Sequence, residues 1–396
     1  MKLFVQRNLG ILVSAFVFLV TLITVSVAVS IMGFETSTDA TSVRSIYLGN
    51  VEVSNRSAVL TSEMNAYLRD ARLVIVYQGQ IVESDLSFLI PDIQATTTNL
   101  VQGQNNQAFF LLSEIQRAAF FNRLQRDFNP QIVAALDQDA LVNVILASAS
   151  NMTRLNFIEL HDFLMPNAFT RLHQVELESV APINGLEIST RVSSVIIPAS
   201  SRFSLLETLS QKALDNTQLS IIASGMQGVL ALSSVTNFQQ TMYDGNPPAW
   251  VQDGMNVRIL QLAGQDFSFI NVSDTPYEIR IKSRENNTIL TFELWGFPPL
   301  HTRQAQTEET LVLEPFVNIV NDPSLDENTD QVITTETATE TIYEVVVDAG
   351  VPGRVVDVTR TITSPGGDTF TTLLVREIYE AQPATIRRHV VAKEVD

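Results

Sequence analysis

The chain has 396 residues, of which 43 are acidic and 25 are basic, and its formal net charge is −18. A surface this acidic repels nucleic acid and gains nothing from anionic lipid headgroups, so we expect no nucleic-acid partner. Cysteine is absent, which excludes disulfides, thiolate nucleophiles and zinc–thiolate sites. The length predicts two or three domains.

The first predicted element is a membrane anchor at residues 9–32, a run that carries no charge. At about 1.5 Å per residue, a helix of this length spans a bilayer. Lys2 and Arg7 precede the run and Glu35 is the first charge after it, which predicts a cytoplasmic N-terminus. A cleaved signal peptide is the alternative, because residues 28–30 resemble a cleavage site. The run exceeds the roughly 7 to 15 apolar residues of a signal peptide, which favours an uncleaved anchor.

After a Thr/Ser-rich stalk, the pattern predicts an α+β domain. Residues 46–53 alternate like a strand, and residues 57–68 have helical spacing. Two short strands flank a hairpin turn at Gln78-Gly79. Two more helices are predicted at residues 108–126 and 137–149, the second with Asp137 or Asp139 as a cap or first-turn charge.

This order resembles the peptidoglycan-binding domain that often precedes a VanW domain in bacterial envelope proteins. The resemblance covers about residues 46–166 and is carried by Leu48-Gly49-Asn50-Val51, by the helix at 59–68 and by the strand and turn at 73–80. On the pattern alone, an ordinary α+β domain is the alternative.

The next part of the chain resembles the VanW family itself. The resemblance is carried by VIIPASSRFS at 195–204, GMQGVLALSS at 225–234 and the block at 264–279. The last block and the residues up to Trp295 predict a three-stranded meander with two turns. The motif Gly225-x-x-Gly228 is interpreted as a plain turn that leads into a helix.

This chain departs from the VanW pattern where the family has its Cys and His. Leu230 and Ala231 replace the usual Cys-Gln, and no His lies between residues 241 and 258. An aliphatic side chain cannot act as a nucleophile, so we predict no catalytic residue. Ser233 and Ser234 are interpreted as hydroxyls at a helix N-terminus.

Two acidic stretches have metal-like spacing without a full ligand set. Asp326, Asn328 and Asp330 resemble the start of a calcium loop, but Gln331 stands where the loop needs Gly. Residues 157–165, which include Glu159, His161 and Asp162, are predicted to form an amphipathic helix with these side chains on its polar face. We therefore predict no metal site and no cofactor. The whole segment 301–341 is predicted to be an acidic, Thr/Pro-rich linker, with one edge strand at residues 310–313.

The C-terminal block predicts strands at 342–347, 354–363 and 369–379, with a hairpin tip at 364–368. Here GVPGRVVDVTR at 350–360 and the ending at 376–383 resemble a G-five domain. The resemblance implies a small β module that binds aminosugar polymers such as peptidoglycan glycan, with candidate contacts at Gly350, Gly353, Arg354, Arg360 and Tyr379.

Two aromatic residues before this block are further ligand candidates. Trp250 and Tyr243 lie in a predicted loop and can stack on a sugar ring, whereas burial in the core is the alternative.

Taken together, the sequence predicts an α+β fold with a single N-terminal transmembrane helix, an α+β domain, a mixed α/β VanW-like domain with a β-meander, and a small all-β module. The predicted segments are a cytoplasmic tail (1–8), the anchor (9–32), the stalk (33–45), the peptidoglycan-binding-like domain (46–178), the VanW-like domain (179–300), the linker (301–341) and the G-five-like module (342–396). The predicted function is a membrane-anchored, extracytoplasmic binding or scaffolding role toward peptidoglycan or an envelope protein. The alternatives are a wall-modifying enzyme with its site in the VanW-like domain and a structural subunit of a larger membrane complex.

Overall fold

The computed structural model describes residues 40–243, 247–337 and 339–393. Their fold is α+β with strands in the majority, which confirms the predicted class at that level. The predicted anchor at residues 9–32 lies outside the described residues. Within the three described ranges, no helix has both the length and the apolar character needed to cross a membrane.

The helices confirm the predicted helices at residues 57–68 and 137–149, whereas the helix predicted at 108–126 begins only at Glu114, because residues 110–111 form a strand. Asp137 caps one of them by accepting a hydrogen bond from the backbone N–H of Ala140. In chain order the helices are α1 (Arg56–Asp70), α2 (Ile93–Thr98), α3 (Glu114–Phe128), α4 (Pro130–Ala134), α5 (Gln138–Ser150), α6 (Pro182–Arg191), α7 (Leu205–Leu209) and α8 (Asn216–Leu230).

The strands are short in the first half of the chain and long near its end. In chain order they are β1 (Ser42–Val43), β2 (Ile46–Tyr47), β3 (Arg72–Tyr77), β4 (Gln80–Asp85), β5 (Ile90–Pro91), β6 (Asn105–Asn106), β7 (Phe110–Leu111), β8 (Leu155–Glu159), β9 (Thr170–Leu177), β10 (Ser194–Ile197), β11 (Ser201–Ser204), β12 (Val235–Gln239), β13 (Ser268–Asn271), β14 (Tyr277–Arg284), β15 (Ile289–Gly296), β16 (Thr302–Leu313), β17 (Val317–Asn321), β18 (Ile333–Glu336), β19 (Glu340–Asp348), β20 (Gly353–Thr363), β21 (Thr369–Tyr379) and β22 (Ala384–Ala392).

The strands pair into sheets of order β2-β1-β6, β4-β3-β8, β5-β7, β10-β14-β15-β9, β11-β13-β12, β16-β20-β21 and β17-β22-β19-β18. The predicted hairpin between β3 and β4 is confirmed: Gln78 and Gly79 both have positive φ, at 47° and 82°. The predicted meander is only half right. Strands β14 and β15 form a hairpin, but β13 pairs with β11 and β12 in another sheet. The side chain of Asn271 donates to the carbonyl oxygens of Pro198 and Thr275, which makes a corner between the two sheets.

The chain divides into two compact units. The first contains residues 40–73, Ser84–Arg117 and Val142–Asn156, and the second contains Val74–Glu83, Ala118–Leu141 and the chain from Phe157 onward. The domain boundaries drawn from the sequence stay predictions. In the first unit, α1 buries Leu60, Met64 and Leu68, the helical face that its spacing predicted.

The core of the second unit contains α8, which packs on β9 and β15. Gly225 and Gly228 lie inside this helix, so the predicted glycine turn is wrong. A Cβ atom on Gly225 would lie 2.2 Å from Cε2 of Phe292, which explains the glycine by close packing. The placement of Ser233 is also corrected, because it follows the C-terminal end of α8 and donates to the carbonyl of Leu230 at 2.7 Å.

Two further local predictions are corrected. The strand predicted at residues 46–53 is limited to β2. The helix predicted at residues 157–165 is instead the end of β8 followed by a 3-10 turn, Leu160–Phe163. Burial alternates along β8, with Asn156 and Ile158 inside. This alternation is typical of a strand, and it replaces the helical spacing that we inferred from the same residues.

The largest correction concerns the predicted linker. Residues 302–313 form β16, which pairs along β20, while β17 and β18 belong to the other sheet of the C-terminal region. Both faces of β16 are largely exposed, so the strand shows no hydrophobic alternation. Backbone pairing with β20 orders a segment whose composition resembles a linker.

Candidate functional site

An open groove in the second unit is formed by two parts of the chain that are far apart in sequence. Its volume is about 340 Å³. The loop around Trp250 forms one side, and residues 351–354 together with residues 379–382 form the other. The lining residues are Pro247, Pro248, Ala249, Val251, Val351, Pro352, Arg354, Tyr379, Glu380 and Gln382. The groove thus joins the two stretches in which the sequence predicts ligand contacts.

The two predicted glycines do not line the groove but lie beside Val351 and Arg354, which do. Gly350 has a φ of +67°, and a Cβ atom there would lie 2.6 Å from the carbonyl oxygen of Gln382. A Cβ on Gly353 would lie 2.5 Å from the backbone nitrogen of Ala381. Between them, Val351 exchanges two backbone hydrogen bonds with Gln382, at 3.1 and 2.8 Å. The glycines are therefore needed for close approach of two backbone segments.

Arg354 and Tyr379 meet at the edge of the groove. The Arg354 guanidinium lies over the Tyr379 ring, 4.6 Å from its centroid, and binds both carboxylate oxygens of Asp253 at 2.6 Å. The hydrogen bonds with Asp253 raise the pKa of Arg354, and burial raises the pKa of Tyr379. Because Asp253 balances the charge of Arg354, this end of the groove favours a polar, uncharged ligand over an anion.

A buried carboxylate fixes the loop that carries Asp253. Glu377 is 0% exposed and accepts hydrogen bonds from the backbone N–H groups of Gly254 and Asn256, both at 2.8 Å. The Tyr379 hydroxyl donates to the same carboxylate at 2.9 Å. Burial raises the pKa of Glu377, while these hydrogen bonds oppose that effect. Glu377 lies within the block at 376–383 that resembles a G-five domain, but the sequence analysis did not identify it as a functional residue.

Three of the predicted ligand residues lie elsewhere. Trp250 is 6% exposed and packs edge-on against Tyr243, with 5.9 Å between the ring centroids. Neither ring lines the groove. Both rings pack in or against the core, which was the alternative to stacking on a sugar ring. Arg360 is 2% exposed and donates to the carbonyls of Ser233 and Val235 at 2.6 and 2.9 Å.

The polar residues considered for chemistry are engaged within the fold. The Ser234 hydroxyl bonds to the Tyr277 hydroxyl at 2.8 Å, and Ser233 bonds to Leu230. His161 lies 3.3 Å from Glu159 and 3.2 Å from Asp162. Across residues 40–243, 247–337 and 339–393, no group of three or more His, Cys, Asp or Glu side chains is arranged to hold a metal ion.

Comparisons with known proteins give structural likenesses of limited extent. No protein family matches the chain, and no curated protein matches it. Among solved structures, the chain is similar to the G5 domain of an IgA1 protease, at 16% identity and a TM-score of 0.16, over 22% of this chain and 86% of that one. It is also similar to the G5 domain of HP0197, at 20% identity and a TM-score of 0.15, over 22% of this chain and 95% of that one. These TM-scores do not establish a shared fold, and the resemblance to the VanW family stays a prediction.

Proposed function

We propose that the chain is a membrane-anchored, extracytoplasmic protein of the cell envelope that binds peptidoglycan glycan without catalysis. The observation that supports this function is the groove in which the loop around Trp250 meets Arg354 and Tyr379. The anchor at residues 9–32, with a cytoplasmic N-terminus, and the extracytoplasmic location of the remaining chain are part of the proposal.

The chemistry of the groove suits a neutral sugar polymer. Pro248, Val251 and Pro352 provide apolar surface for the faces of sugar rings. Glu380 accepts hydrogen bonds from hydroxyl groups, and the amide of Gln382 both donates and accepts. The volume of about 340 Å³ is at the lower end of the range found for ligand sites, which fits a short stretch of a polymer.

The test compares the retention of full-length variants on insoluble peptidoglycan. Val351 is 52% exposed in the groove, so Val351→Asp places a charge on the ligand's path without filling the core. The matched control is Val390→Asp, because Val390 is 46% exposed on β22 and does not line the groove. We expect Val351→Asp to weaken retention about tenfold or more, and Val390→Asp to leave it unchanged.

Two results would contradict the proposal in different ways. Equal retention of both variants would mean that glycan binds outside the groove. If the parent protein itself is not retained, an envelope protein replaces glycan as the partner.

A further inference from the structure

A second cavity in the same unit has a different chemical character. Its volume is about 730 Å³, and its walls come from α4, β9 and the start of β16. None of the described residues that line it is Asp or Glu, although acids outnumber bases by 43 to 25 in the chain. The cavity contains two of the four histidines of the chain. Its polar lining includes Gln131, Asn167, Arg171, His173, His301 and Arg303.

Arg303 is the central cation of this cavity, and its charge is not balanced. Its Nη1 donates to the carbonyl oxygen of His301 at 3.1 Å, while its buried Nε has no hydrogen-bond partner. In the described part of the chain, no carboxylate forms an ion pair with it. Burial lowers the pKa of Arg303 because it disfavours the charged form.

A second unbalanced arginine lies behind the first. In the pairing of β16 with β20, Arg303 is opposite Ile362 and Ala305 is opposite Arg360. Side chains of alternate residues share one face of a sheet, so Arg303 and Arg360 are diagonal neighbours on that face. Among the described residues, Arg360 donates only to backbone carbonyls, and its Nε also lacks a partner there. Two like charges with no acid beside them are costly to bury, which indicates that an anion completes the site.

The two imidazoles complement these cations. Burial and then the charge of Arg303 lower the pKa of His173 and of His301. Both rings are therefore neutral at neutral pH and carry one N–H donor each. The buried Nδ1 of His301 has no partner among the residues that the structure describes. Arg171 is the other charged lining residue, and it already pairs with Glu293 at 3.4 Å.

We propose that this cationic cavity binds a phosphate monoester of a small polar molecule such as a sugar. A phosphate dianion balances the charges of Arg303 and Arg360, and its oxygens can accept from the Arg303 Nε and from the His301 imidazole, whose Nδ1 has no partner among the described residues. A cavity of about 730 Å³ is larger than a bare phosphate requires, so it has room for the organic group that carries the phosphate. This site is separate from the groove, so each proposal can fail without the other.

The test is calorimetric titration of the purified full chain with glucose 6-phosphate, with glucose and with inorganic phosphate. We expect glucose 6-phosphate to bind more tightly than inorganic phosphate, and glucose not to bind at the same concentrations. Arg303→Gln should weaken the binding of glucose 6-phosphate about tenfold or more. The matched control is Arg376→Gln, because Arg376 is a surface arginine of β21 that pairs with Asp357.

A thermal measurement distinguishes loss of the site from loss of the fold. Without ligand, Arg303→Gln should melt at a higher temperature than the parent, because it removes an unbalanced half-buried charge. Glucose 6-phosphate should raise the melting temperature of the parent and of Arg376→Gln, but not that of Arg303→Gln. The proposal would be overturned if glucose 6-phosphate does not bind to the parent. It would also be overturned if Arg303→Gln and Arg376→Gln weaken the binding of glucose 6-phosphate equally. Inorganic phosphate that binds as tightly as glucose 6-phosphate would overturn the assignment to an organic monoester.

Discussion

Replacement of Glu377 by Gln tests how the groove is held in place. The carboxylate accepts from Gly254 N–H and the Tyr379 hydroxyl on one oxygen, and from Asn256 N–H on the other. Gln227 Nε2 also approaches the second oxygen, at 3.5 Å. A glutamine amide has only one oxygen, so in either orientation its NH₂ group faces a backbone N–H. One buried backbone N–H then loses its acceptor and faces the amide NH₂ group instead, at a cost of about 1–3 kcal/mol.

We therefore predict that Glu377→Gln destabilises the loop at residues 252–256 by about 3 kcal/mol. This free energy corresponds to a roughly hundredfold increase in the equilibrium constant for local opening. Hydrogen exchange of the amides of Gly254 and Asn256 measures this opening directly. Tyr379→Phe is the control, because it removes one donor and leaves the carboxylate with its backbone partners, at a cost of about 1 kcal/mol. If Glu377→Gln exchanges no faster at these amides than Tyr379→Phe does, the four-donor account of Glu377 is wrong.

Two further substitutions test the core and the cavity. Gly225→Ala gains about 1 kcal/mol of helix propensity but places Cβ 2.2 Å from the buried Phe292 ring, so we expect a net loss of about 2 kcal/mol in denaturant unfolding. The double variant Gly225→Ala/Phe292→Leu should be more stable than the sum of the two single free-energy changes predicts. If the two free-energy changes are strictly additive, the contact between these residues is contradicted. The lowered pKa values of His173 and His301 mean that the unfolded chain takes up protons first as the pH falls below about 6.5. The parent should therefore lose stability below that pH, and His173→Gln/His301→Gln should lose less; an equal loss in the two proteins would contradict this account.

The sequence predicted elements best where one face of the element is buried. Helix α1 has the spacing of an amphipathic helix because Leu60, Met64 and Leu68 face the core. The Gln78-Gly79 turn was predictable because its backbone conformation is one that few residue pairs adopt. By contrast, β16 is exposed on both faces, so its residues carry no period, and only its partner β20 determines its structure.

The candidate site was predictable as a set of segments, but the roles of individual residues were not. Trp250 and Arg354 belong to stretches that meet at the groove, yet Trp250 is buried and Arg354 is balanced by Asp253. Burial of an aromatic ring in a loop depends on contacts with distant residues, which the local pattern does not contain. Glu377 lies in a strand of alternating polarity, and nothing near it in sequence reveals that its partners are at Gly254 and Asn256.

The C-terminal strands contribute to both proposed sites, which decides how the sites must be tested. β20 and β21 carry Arg354, Glu377 and Tyr379 near the groove, and β20 also carries Arg360 behind Arg303. A chain that ends at Gly296 would lose Arg303 itself and would leave Gly254 and Asn256 without their carboxylate. Such a truncation would remove parts of both sites at once. Loss of glycan binding and of phosphate binding in that variant would therefore not distinguish the two proposals. Val351→Asp and Arg303→Gln separate the two, because each should weaken one binding activity about tenfold or more and leave the other unchanged.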